Sequence, residues 1–195
     1  MRAVRQLPGD YVKAFQIDLK NNKKQFFTVY ALSFLILAVF LIPVCFFVPF
    51  TALLTGLAEG DFLPVMLRIA ALAAGSLAYI VLHELVHGVF IRAFSGERAK
   101  YGFSLVFAFA YSDFYFAKRP YLIIALAPVI LWGIVLAILT PVVPLSWFWV
   151  VYIIQLSNLS GAAGDLYVTV RLWRLPHNAL IKDTGTAMTV YTTDP

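Results

Sequence analysis

Three side chains within five positions carry the chemistry of this sequence. They are His83, Glu84 and His87, in the run Val81-Leu82-His83-Glu84-Leu85-Val86-His87-Gly88. On an α-helix, residues four apart lie about one turn apart, so both imidazoles project from the same face. Two nitrogen donors so placed suit one Zn2+ ion, and Glu84 beside them is placed to act as a base on a water at that ion. A five-residue pattern with two wildcards also arises by chance. Here, however, the chain has 3 His in all and two of them stand in the motif. The motif also lies inside an apolar segment from about Leu63 to Phe94, where ionisable groups are costly and mark function by default.

The chain that must position these groups has 195 residues, one domain's worth. It is 62% hydrophobic and 13% charged, against about 25% charged residues in a soluble domain. With a mean hydropathy of +0.84, this excludes an ordinary soluble domain and predicts an integral membrane protein. The single cysteine, Cys45, excludes an intrachain disulfide or a multi-thiolate metal site, and reads as a small apolar filler within the membrane. The first apolar run follows 24 mostly polar residues and is too long for a signal-peptide core, so no cleavable signal peptide is expected.

Read in order, the pattern predicts an all-α integral membrane protein: four transmembrane helices with a β-hairpin between helices 2 and 3. Residues 1–24 form a polar segment, 25–175 the four-span membrane domain, and 176–195 a polar tail. Within the first segment Phe15, Ile17 and Leu19 alternate with polar residues, which suggests a short strand before an Asn21-Asn22 turn. Span one covers Gln25 to Phe50, with Pro43 as a kink, and span two covers Phe62 to Phe94. Arg68, near the outer end of span two, reads as a side chain snorkelling to the interface. Phe103, Leu105, Phe107, Phe109 and Tyr111 alternate with small residues at period 2, which predicts a strand. A turn near Ser112-Asp113 and a return over Phe114 to Lys118 would complete the hairpin. Span three runs from Tyr121 to Thr140, and span four from Trp147 to Val170 with Trp147 and Trp149 as interfacial anchors. Thr186 to Thr192 reads as a further strand.

The basic residues divide unevenly among the connections. Six precede span one, five lie between Arg92 and Arg119, three follow span four, and Arg68 stands alone. By the positive-inside rule both termini and the hairpin are cytoplasmic. The net charge of +5 is thereby explained by topology, and no nucleic-acid partner is expected. The expected surroundings are a lipid bilayer and a peptide or membrane-protein substrate.

A catalytic zinc needs a third protein ligand and an open position. No His lies between Gly88 and Phe94, and Glu97 would be about 15 Å further along the helix from His87. Asp165 is the better candidate. His83 follows Pro64 by 19 residues and Asp165 follows Trp147 by 18, so both lie about 27–29 Å from the outer face if the spans run straight. The small residues Ser160 to Gly164 would let two helices approach closely. Asp165 could instead be a solvated helix-end carboxylate. His177, in Pro176-His177-Asn178, is an alternative ligand or a solvated loop residue. Asn158 could hydrogen-bond between helices or hold the substrate backbone.

His83-Glu84-Leu85-Val86-His87 on one span, with Asn158 and Asp165 on a later one, resembles the site-2 protease class of membrane-embedded zinc metalloproteases. Over roughly residues 25 to 190 the chain is similar to a small bacterial four-span zincin peptidase family of unknown function. The resemblance implies His83, His87 and Asp165 as zinc ligands, Glu84 as general base, and an extended segment that engages substrate. It also implies a bacterial cytoplasmic membrane as the location. Pro128, in Ala125-Leu126-Ala127-Pro128, resembles a proline-containing motif of that class. The site-2 class has an Asn and several prolines before a Leu-Asp-Gly, whereas here Ser-Gly-Ala-Ala-Gly precedes Asp165 and Leu166-Tyr167 follows. The expected function is a membrane-embedded zinc-dependent peptidase acting near the cytoplasmic face. The alternative is a non-catalytic metal-stabilised scaffold or partner-binding protein.

Overall fold

A computed structural model describes residues 3–104 and 108–193. Leu105, Val106 and Phe107, which belong to the expected alternating strand, lie outside the described residues. The chain divides into two compact units, one built from residues 1–30, 82–128 and 164–195, the other from 31–81 and 129–163.

The first unit is organised on a five-stranded antiparallel sheet, and this corrects the all-α expectation. Strands β1 (Ala3–Val4), β2 (Val12–Asp18), β5 (Tyr115–Ala117), β6 (Leu180–Asp183) and β7 (Ala187–Thr192) stand in the order β1-β5-β6-β7-β2. The period-2 signals near both ends of the sequence give β2 and β7, which pair from Val12 opposite Thr192 to Asp18 opposite Ala187. Such pairing is long-range, and each segment read alone is too short to predict a sheet. A turn with Gly185 at φ +86° links β6 to β7, a conformation that glycine adopts without strain. One face of this sheet is buried: Ile17, Ile181, Met188 and Val190 are at most 3% exposed, and they pack with Leu172, Ile91 and Ile124. Each such side chain contributes about 1.5–3 kcal/mol when fully buried.

Helix α1 (Lys23–Cys45) leaves the sheet through a capped turn. Asp18 Oδ1 accepts the Lys20 and Asn21 N–H groups, and Asn22 Oδ1 accepts the Gln25 N–H, an N-cap interaction. Helix α2 (Phe62–Ser95) carries the motif, and α3 (Lys118–Leu139) follows the β-strands. These three helices are long and apolar enough to cross a membrane. The expected fourth span is divided: α4 (Leu145–Gly161) has 17 residues, and α5 (Ala163–Trp173) begins after Ala162 at φ −76°, ψ 9°. Helix-disfavouring Gly161 and Gly164 flank the break.

The hairpin between α2 and α3 is built from other strands than expected, because the return over Phe114 to Lys118 does not pair with the strand through Tyr111. Strand β3 (Lys100–Phe103) pairs with β4 (Ala108–Tyr111), from Lys100 opposite Tyr111 to Phe103 opposite Ala108, and Ser112-Asp113 does not join the two paired strands. Strand β5 pairs with β6 and β1 in the larger sheet.

In the second unit, Trp149 is 0% exposed and its indole N–H donates to the Pro49 carbonyl at 3.0 Å, so it is a core residue and not an interfacial anchor. Arg68 is 2% exposed, and its guanidinium donates to the Pro64 carbonyl at 3.0 Å and to the Thr55 carbonyl. It pins the connection after α1 rather than snorkelling. Cys45 is exposed at the end of α1. A Cβ at Gly161 or Gly164 would meet no atom within 4 Å among the described residues, whereas one at Gly75 would lie 2.8 Å from Ile154 Cδ1. Close helix packing therefore uses Gly75, with Ala162 and Ala163 as the buried small residues.

Candidate metal centre

The site is assembled in the first unit from α2 and α5. His83 and His87 lie one turn apart on α2, with ring centroids 5.0 Å apart and planes at 76°. Asp165 lies in the first turn of α5, just past the break at Ala162. Its Oδ2 is 3.6 Å from His83 Nε2 and 3.7 Å from His87 Nε2. Both distances exceed a hydrogen bond. They approach the roughly 3.3–3.6 Å expected between neighbouring ligands of one ion with bonds of about 2.0–2.2 Å in tetrahedral geometry. Ligand atoms of all three residues lie within 4.8 Å of one another. Two neutral nitrogen donors and one carboxylate are a zinc donor set with room for a fourth ligand. The residues present fit the ion.

Glu84 follows His83 but projects about 100° round the helix. Its Oε2 is buried and has no hydrogen-bond partner among the described residues, while the backbone N–H of Ala110 in β4 reaches its carboxylate. An orphaned buried carboxylate oxygen is expensive to maintain as structure.

His87 is fixed from behind, with Nδ1 2.8 Å from the Ile124 carbonyl of α3. Tyr101, which the motif gives no hint of, lays its phenol over Gly88. A Cβ there would lie 1.9 Å from Tyr101 Oη. Gly88 stands four residues after Glu84, so this phenol covers the helix stripe that carries Glu84. The one signal in the sequence was a glycine directly after the second histidine.

Beside these, Asp183 of β6 accepts the Tyr121 O–H and, at 2.7 Å, the Gly185 N–H. Burial pushes its carboxyl above the ordinary carboxylate range, against the lowering effect of those two donors. Neither residue was singled out in the sequence.

The other expected site residues fall elsewhere. His177 is exposed in the turn before β6 and does not join the cluster, and Glu97 pairs with Arg5 at 2.9 Å. Asn158 belongs to the second unit and is 0% exposed. It accepts the Tyr79 O–H at 3.0 Å and donates to the Val129 carbonyl at 3.2 Å and to Gln155 Oε1 at 3.4 Å. That is the helix-to-helix alternative left open for it, with its amide engaged by the protein.

A family model described as "Putative zincin peptidase" matches residues 76–180. The chain belongs to this zincin peptidase family. The matched stretch contains His83, Glu84, His87 and Asp165, and membership suggests metallopeptidase activity with zinc. No curated protein and no solved structure matches the chain.

Proposed function

We propose that this zincin family member is a zinc-dependent peptidase embedded in a membrane, cleaving peptide bonds near the cytoplasmic face. The observation that carries the reading is the convergence of His83, His87 and Asp165 beside a carboxylate, Glu84, with one buried oxygen unpartnered among the described residues. Zinc held by the three residues would supply a water made nucleophilic near neutral pH and would polarise the scissile carbonyl. Glu84 takes the proton of the attacking water and returns it to the leaving nitrogen. His83 and His87 hold their rings on one helical face, and Asp165 brings the compensating negative charge. The β3–β4 hairpin reaches the base through Ala110, so an extended peptide adding to the β4 edge would arrive beside Glu84. This favours an extended peptide or an unwound membrane-protein segment as substrate. In this reading α4 with α5 serves as a fourth crossing beside the three long apolar helices, and the membrane is the bacterial cytoplasmic one. The likeness to site-2 proteases belongs to the same proposal.

A general base acts only in the reaction, so its loss leaves ground-state structure and metal almost untouched. Glu84→Gln is expected to keep the fold and the zinc and to lose cleavage at least ~10²-fold, the low end for general acid–base catalysis. The measurement compares uncleaved membrane proteins in cells carrying wild-type or Glu84→Gln protein. If the two give identical membrane proteomes while a strain lacking the protein differs, a non-catalytic metal-stabilised scaffold replaces the peptidase.

A further inference from the structure

Proline carries no backbone N–H, so the carbonyl four residues before it in a helix has no donor from its own ladder. In α3 the proline is Pro128 and the carbonyl is that of Ile124. Ile124 is 5% exposed, which leaves little room for water to replace the missing donor. A buried carbonyl in that state is destabilising unless another group serves it. The group that does so is His87, with Nδ1 2.8 Å from the Ile124 oxygen in a buried contact.

The direction of this hydrogen bond follows from chemistry. A carbonyl oxygen only accepts, so Nδ1 carries the hydrogen and donates it. A neutral imidazole protonated at Nδ1 has its lone pair on Nε2, and Nε2 is the nitrogen that faces Asp165 at 3.7 Å. We propose that Pro128 is a positioning residue for the metal centre. By withholding its own N–H it reserves the Ile124 carbonyl for His87, and this fixes the tautomer and rotation that aim Nε2 at the ion. A different residue at 128 would return an N–H to the ladder, and that N–H would compete with His87 for the same oxygen. The inference rests on the metal-site reading above.

The test uses full-length protein in detergent, with Zn2+ affinity measured by competition against a chromophoric chelator. Pro128→Ala and Pro128→Val both restore the N–H, and valine also retains most of the side-chain volume. Both are expected to weaken zinc binding 10–100-fold, the usual range for loss of an outer-shell partner of a metal-bound histidine. The melting temperature of the metal-free protein should not fall in step. In zinc-loaded wild-type protein labelled with 15N-histidine, the Nδ1–H of His87 should exchange slowly with solvent, and in both variants faster. Pro43→Ala makes the same backbone change in α1, which carries no motif residue, and should leave zinc affinity unchanged. The proposal is overturned if both Pro128 variants bind zinc like wild type. It is equally overturned if only Pro128→Ala is weakened, because lost volume and not the hydrogen bond would then be responsible. Absence of zinc binding by wild type and Pro43→Ala alike would instead refute the metal-site reading, and this inference with it.

Discussion

Asp165 shows how much of the site lies in residue type and spacing alone. A carboxylate placed as far along a later apolar segment as His83 is along its own is the natural third donor, and the structure brings the three to one place. If they hold one ion, purified protein should contain about one zinc per chain. His83→Ala, His87→Ala and Asp165→Ala should each lower that occupancy, measured by elemental analysis. His177→Ala should not, because His177 is exposed outside the cluster. Normal zinc in Asp165→Ala would remove the carboxylate from the ligand set. What the sequence did not disclose at this scale is Tyr101 over Gly88 and Ile124 behind His87. Both contacts join segments brought together only by folding, and neither has a local periodic signature.

At the scale of elements, the helices were legible because apolar length is a local property, whereas the sheet depends on pairing the two ends of the chain. Arg68 illustrates the difference, since near an expected membrane interface a cation reads as snorkelling. The fold instead buries it against the carbonyls of Pro64 and Thr55, where it ties α2 to the turn that follows α1. Arg68→Ala leaves the Thr55 carbonyl without this donor and should cost about 1–3 kcal/mol. A snorkelling side chain would cost no more than about 0.5 kcal/mol, the usual limit for surface substitutions. Thermal unfolding in detergent separates the two. Asp183 offers a second test, on the β6–β7 turn. Its carboxyl is held above the ordinary range by burial, so its favourable contribution is fully present below about pH 4, near the unfolded value. That contribution is lost as pH rises through the folded value. The melting temperature of wild type should therefore fall more steeply from pH 4 upward than that of Asp183→Asn. Parallel profiles would show that Asp183 does not titrate at a cost to the fold.

At the scale of the whole molecule, charge and contact divide the chain at the same places. Of the 15 basic residues, Arg68 alone lies in the unit formed by residues 31–81 and 129–163, and its only acidic residues are Glu59 and Asp61. The other unit holds the remaining basic residues, the five-stranded sheet and the candidate metal centre. By the positive-inside rule, the segments that carry these basic residues are expected in the cytoplasm. The connection around Glu59 and Asp61, and the one around Val143 between α3 and α4, are then expected on the opposite side. Reporter fusions test this directly. A reporter active only outside the membrane should work at Gly60 and Val143, and one active only in the cytoplasm should work after Arg98 and at Pro195. The position after Arg98 follows α2 within a few residues, so it reports the side to which the motif-bearing end of that helix is delivered. Cytoplasmic activity at Gly60 together with outer activity after Arg98 would invert the chain. The peptidase would then have to take its substrates from the other side of the bilayer.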